Sequence, residues 1–195
     1  GSKRTVNAGH PPKILILGYG NPGRGDDALG PELIARLEPL AVEPPLSSTL
    51  TLLTDFQLQV EHVLDLAHQD LVLFVDAHLS TTPPFRFERV VPDAVPSFST
   101  HWVSPGTLLK VSQDLYGRTP PSYLLGIRGE AYELGEPLSD AAENHLRQAL
   151  DWVLALLNRP ESAIWDTLLD CPSESTHSDA HPRPPSSTSI LVQDP

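Results

Sequence analysis

The apolar run from Lys13 to Leu17 (KILIL) passes straight into a glycine-rich loop, Gly18 to Asp27 (GYGNPGRGDD), after which Leu29, Leu33, Ile34 and Leu37 recur at helical spacing. A short run that is apolar at nearly every position reads as a strand buried on both faces, and such strands belong to parallel sheets covered by helices on each side. Pro31 is compatible with the helix because it falls in its first turn. The opening is strand, tight loop, helix.

The cycle then repeats. Thr49 to Leu53 suits a second strand, and Val60, Val63, Leu64 and Ala67 mark an amphipathic helix. Leu71 to Val75 (LVLFV) is the most apolar stretch and is expected as a central strand, whereas Phe85 to Val91 (FRFERVV) alternates and suits an edge. Ser104 and Pro105 start a helix whose buried stripe is Leu108, Leu109, Val111 and Leu115, with Gly117 as its stop. Tyr123 to Ile127 is a further strand. The last helix runs from about Ser139 and Asp140 to about Leu157, with Leu146, Leu150, Val153, Leu154 and Leu157 inward. Alternating strands and helices predict an α/β fold with three α/β/α layers, a mainly parallel twisted sheet of about five strands and helices on both faces.

Residues 13–157 are thus expected as the folded domain, after a flexible leader, 1–12, and before a tail, 158–195, dense in Pro, Ser and Asp and largely disordered. Within the tail, Ile164, Trp165, Leu168 and Leu169 form the one patch able to dock as a short helix. The formal charge of -12, from 25 acids against 13 Lys and Arg, opposes binding to nucleic acid or an anionic membrane. With no run of 18 or more apolar residues and no signal pattern, a soluble, cytoplasmic protein is expected. The single cysteine, Cys171, has no disulfide partner and lies in the tail, where an incidental thiol is the plain reading.

Gly18 to Gly23 satisfies GxGxxG between a strand and a helix, so a nucleotide-binding oxidoreductase enters as one reading. Against it, Asp26 and Asp27 bring negative charge to the helix start where a pyrophosphate would sit, and Asp55 lies too far on to be the ribose acid. Helix capping accounts for one of Asp26 and Asp27 and leaves the other unexplained. Asp76 ends the LVLFV strand, at the rim where open α/β sheets bind ligands, with a turn or cap as its alternative role. His101 lies in the loop SFSTHWVSP before a helix. If the loops after the first and third strands share a rim with it, two carboxylates and an imidazole form an open coordination shell. His78 competes with His101; His62, His68 and His145 suit ordinary helical positions, and His177 and His181 belong to the tail. There is no HExxH and no GxSxG, so zincin and serine-triad chemistry have no anchor.

Together, ILILGYGNPGRGDDALGPELIARL, LVLFVDAH, the THW segment and LLGIRGEAYELGEPLS resemble the hydrogenase maturation endopeptidases over about Lys13 to Leu157. The resemblance implies an α/β endopeptidase that removes the C-terminal extension of a [NiFe] hydrogenase large-subunit precursor once nickel is inserted. It implies nickel delivered by the substrate and not held as a resident cofactor, and metal ligands Asp27, three residues before Gly30, Asp76 of the VDA segment, and His101. Asp27, Asp76 and Asp55 are the candidate catalytic acids. Many members carry a glycine-threonine segment where this chain has TDFQLQVEH, a departure that leaves the role of Asp55 open and suits discrimination between hydrogenases. The implied partner is the precursor, acted on by a monomer. Two other readings stand beside it: a non-enzymatic nickel-binding chaperone or checkpoint module using the same ligands, and the oxidoreductase above.

Overall fold

The structure, a computed structural model, describes residues 10–95 and 103–170. Its five strands are β1 (Ile14–Tyr19), β2 (Leu50–Asp55), β3 (Leu71–His78), β4 (Phe85–Val90) and β5 (Ser122–Arg128), in the spatial order β2-β1-β3-β5-β4. All pair in parallel except β4, which runs antiparallel to β5 at an edge. The three-layer α/β arrangement expected from the alternating pattern is what forms, with β1 and β3 in the interior and the charged, alternating β4 outermost.

Alternation along β1 explains its uniform apolarity. Ile14 and Ile16 enter one core with α1 (Leu29–Leu37) and α5 (Asp140–Asn158), while Leu15 and Leu17 enter the opposite core with Leu108 and Leu109 of α4 (Pro105–Tyr116). Ser104 caps α4, its hydroxyl accepting the Thr107 amide at 3.1 Å. Arg36 of α1 grips Glu143 of α5 with two bonds of 2.8 and 2.7 Å, tying neighbouring helices on one face.

Two expectations need adjusting. The single-turn helix α2 (Leu46–Thr49) leads into β2, but the segment after β2 is shorter than the predicted amphipathic helix: a 3-10 turn, Val60–His62, and one turn of α3 (Val63–Leu66). Its inward stripe is Val63, Leu66 and Ala67, at spacings of three and four, so Val60 and Leu64 fall outside it and are exposed. Leu115 is likewise exposed, in the last turn of α4.

The packed chain also continues past residue 157, to Asp170. Helix α6 (Ser162–Thr167) docks on the β4–β5 end of the sheet through Trp165, which is fully buried, meets Tyr123 edge-on at 5.1 Å and donates its indole N–H to the Leu156 and Arg159 carbonyls. Asp170 then caps the outer edge of β4: its amide donates to the Phe87 carbonyl at 3.0 Å and its carboxylate accepts the Phe87 amide at 2.7 Å. One aromatic anchor and one edge pairing give this piece enough burial to order, which composition averaged over 158–195 conceals. Trp165→Ala is expected to cost about 3–5 kcal/mol in urea unfolding; a loss under about 1 kcal/mol would contradict this role. Cys171 and the remaining tail lie outside the described residues. None of the described helices is long and apolar enough to cross a membrane.

Candidate active site

The carboxyl ends of β1, β2 and β3 share one rim because all three run in parallel. Chain leaving β1 turns at Gly20, whose φ of 144° suits glycine and whose amide donates to the Asp55 carbonyl at 3.0 Å. Farther on, Gly30 lets α1 approach the sheet so closely that a β-carbon there would meet the Tyr19 and Val75 carbonyls at 2.6 Å. The DxxG spacing thus has a physical meaning: the glycine seats the helix, and the helix fixes the acid three residues earlier.

Neither Asp26 nor Asp27 caps a helix by its side chain. Asp26 is fully buried and ties in the loop before α5: Oδ2 accepts the Glu130 and Ala131 amides at 2.7 and 2.9 Å and the Ser139 hydroxyl at 2.7 Å, while Oδ1 accepts the Ser139 amide at 2.7 Å. Burial pushes its pKa up, but these bonds outweigh it and hold the carboxyl below its ordinary range. Asp27 faces the other way. Its Oδ2 accepts the Asn21 amide at 2.7 Å, and its side chain lines a cleft of about 380 Å³ together with Tyr19, Phe56, Asp76, Val103 and Leu124.

This arrangement also removes the dinucleotide reading. The amide that a bound phosphate would take from the GxGxxG loop is already donated to the chain's own carboxylate, and a second acid is packed behind it.

Asp76 closes the cleft from β3. Burial pushes its carboxyl up to about 7, the nearby Asp27 charge adds to that, and hydrogen bonds from the Ala77 amide and the Tyr19 hydroxyl oppose it. Tyr19 is itself pushed well above the usual phenol range by burial and by Asp76, so it remains a donor. Sequence reasoning passed over Tyr19; its signal was an aromatic hydroxyl inside a glycine loop that closes on a strand-end acid.

Asp55, at the end of β2, is engaged elsewhere. Its Oδ1 accepts the Phe56 amide at 2.7 Å and its Oδ2 lies 3.2 Å from His62 Nε2. His62 Nδ1 accepts the Gln59 amide at 2.9 Å, so Nε2 carries the proton and donates to Asp55. The pair braces the segment 56–58 that forms one wall of the cleft. His78 fails as a ligand for a related reason: its Nδ1 accepts the Ser80 and Thr81 amides at 3.2 and 3.0 Å, which leaves Nε2 protonated and without a lone pair. His145 points into the fold, donating from Nδ1 to the Arg128 carbonyl at 2.8 Å. His101 lies outside the described residues; Val103, Ser104 and Pro105, which follow it closely in sequence, line the cleft. Of the predicted site residues, then, Asp27 and Asp76 come together. Among the described residues alone there is no group of three His, Cys, Asp or Glu side chains arranged to hold a metal.

No protein-family profile and no curated protein matches the chain. Solved structures do. The hydrogenase maturating endopeptidase HybD from E. coli aligns with a TM-score of 0.61 at 27% identity, covering 76% of this chain and 93% of its own. In fold and in about a quarter of its sequence the chain is similar to the hydrogenase maturation endopeptidases. Another structure of an E. coli endopeptidase aligns at 27% identity with a TM-score of 0.57, covering 76% of this chain and 93% of its own. The [NiFe] hydrogenase maturation protease HycI from Thermococcus kodakarensis shares the fold at 24% identity, with a TM-score of 0.59 over 75% of this chain and 93% of its own. Nearly the whole of each of these proteins is therefore matched, by about three quarters of this chain.

Proposed function

We propose that this chain is an endopeptidase that removes the C-terminal extension of a [NiFe] hydrogenase large-subunit precursor and recognises the nickel that the precursor already holds. The observation carrying the proposal is the presentation of Asp27 and Asp76 to one cleft at the carboxyl end of a parallel sheet, with the segment that follows His101 forming part of the same wall. Asp27, Asp76 and His101 are the groups we assign to the substrate-borne ion.

Two carboxylates and an imidazole, with no thiolate, form a weak standing site for a late transition metal. That weakness suits an ion arriving with most of its ligands supplied by the precursor, because the enzyme then needs only to complete the coordination. Cleavage becomes conditional on correct metal insertion. At the scissile bond, water adds to the carbonyl carbon, the C–N bond breaks and a proton passes to the departing amine. Asp76, held near neutrality and opening on the cleft, is suited to take the proton from water and return it. Asp55, committed to His62, is assigned to bracing the wall.

Incubating the protein with nickel-loaded and nickel-free precursor, and weighing the large subunit by mass spectrometry, tests this. The loaded form is expected to lose its extension and the nickel-free form to keep it; unchanged mass of the loaded form would instead favour a nickel-binding chaperone. Asp27→Ala is expected to lower processing on the order of a hundredfold or more, with the folded far-UV spectrum retained because Asp27 makes a loop contact and no core contact. Full activity in this variant would remove Asp27 from the site.

A further inference from the structure

The two edges of the sheet differ in kind. At one, β4 carries Arg86, Glu88 and Arg89, and its outer side is occupied: Asp170 donates its amide to the Phe87 carbonyl at 3.0 Å and accepts the Phe87 amide at 2.7 Å. Charged side chains and a covering segment are two of the devices by which natural sheets keep an edge from pairing with another chain. At the other edge lies β2, and among the described residues no strand pairs with its outer side. From Leu50 to Thr54 it reads LTLLT, without a charge or a proline, and its register against β1 runs unbroken from Leu50 to Asp55, so no bulge twists it away.

One bond fixes which backbone groups this edge offers. The Asp55 carbonyl accepts the Gly20 amide at 3.0 Å, so Asp55 turns its main chain toward β1. Successive residues of a strand point their N–H and C=O groups to opposite sides, which turns those of Leu50, Leu52 and Thr54 outward. The strand then runs directly into the cleft: Phe56, Gln57 and Leu58 line it together with Asp27 and Asp76.

A peptide bond that reaches Asp27 and Asp76 is delivered by the residues on either side of it. Laid along β2, an extended chain would add one strand to the sheet, its main-chain bonds supplying affinity whatever its side chains. A second copy of this protein is the poorer occupant, because a formal charge of -12 on each copy opposes their association.

We propose that the outer edge of β2 is a docking strand for the precursor, with residues flanking the scissile bond pairing in extended form against Leu50, Leu52 and Thr54 and so entering the cleft. This inference rests on the reading of the chain as the endopeptidase that cuts that precursor.

Thr54→Pro tests it, because proline removes an outward N–H and leaves the bonds to β1 in place. On nickel-loaded precursor the variant is expected to raise KM about tenfold with kcat little changed, and a KM equal to the parent's overturns the inference. Amide exchange in the parent gives a second reading that needs no variant. The Leu52 and Thr54 amides are expected to exchange fast in the free chain and to slow when pulse-labelled during turnover of excess loaded precursor. Exchange there that is unaltered by precursor overturns the inference, and so does slow exchange in the free chain, since the edge would then be covered by the chain's own residues. A parent that sediments as a dimer, with Thr54→Pro a monomer, overturns it in favour of a second copy. If the parent leaves loaded precursor uncut, the endopeptidase reading fails and the inference fails with it; if the parent cuts and Thr54→Pro keeps the parent's KM, only the inference fails.

Discussion

Asp76→Asn is expected to abolish precursor processing, by on the order of a thousandfold, and at the same time to make the fold more stable above pH 7. The carboxyl has a pKa of about 7 in the folded chain because burial, reinforced by the Asp27 charge, disfavours its ionised form. In the unfolded chain the same group titrates near about 3.9. Between these two values the native state holds a proton that the unfolded state has given up, so this group's contribution to stability falls as pH rises from about 4 to about 7 and stays low above that. Each pKa unit corresponds to about 1.4 kcal/mol. Because Asp76 reaches solvent through the cleft, about 2 kcal/mol is the gain we expect for the amide at pH 8, with little difference at pH 4. The Tyr19 hydroxyl and the Ala77 amide can still donate to the amide oxygen. Urea unfolding of parent and variant across this range checks the prediction, and a variant less stable than the parent at pH 8 would contradict it.

The neighbouring acids should behave in opposite ways. Asp26→Ala is expected to destabilise the chain by about 3–5 kcal/mol, because it strips the buried acceptor from three backbone amides and a hydroxyl at once. Asp27→Ala, one residue on, should leave stability close to that of the parent. The Asp26 contribution has its own pH signature. Its folded pKa lies below the unfolded value, so its stabilisation is fully present above the unfolded pKa and is lost as pH falls through the folded one. The parent should therefore lose stability in acid more steeply than Asp26→Asn does. Equal stability losses for Asp26→Ala and Asp27→Ala would show that the tie between the two loops carries no energy.

That contrast also shows how far the chain can be read without coordinates. KILIL and LVLFV, bounded by glycine and aspartate, define two interior parallel strands because no other element needs apolar residues on both faces. Asp76 was legible for the same reason, since an acid ending such a strand has only the rim to occupy. Asp26 and Asp27 were not separable by any local rule. Which of them turns inward depends on a loop more than a hundred residues later, Glu130 to Ser139, whose amides have no other partner of this strength. His62 and Asp55 are a similar case: either alone is an ordinary surface residue, and only the short turn that folds one back on the other makes them a pair. The aromatic docking of α6 was visible as a patch but not as a packed helix, because a tryptophan's partners, here Tyr123 and Phe87, come from strands far earlier in the chain.

In the proposed reaction the cleft's two carboxylates, joined by His101, meet an ion carried by the substrate. Nickel-edge X-ray absorption of the loaded precursor, recorded alone and after rapid freezing with this protein, reads that meeting directly. Oxygen and nitrogen ligands are expected to be added to the nickel on mixing with the parent chain, and fewer with Asp76→Asn. A nickel spectrum unaltered by the parent chain, in a sample where the extension is nonetheless removed, would contradict it.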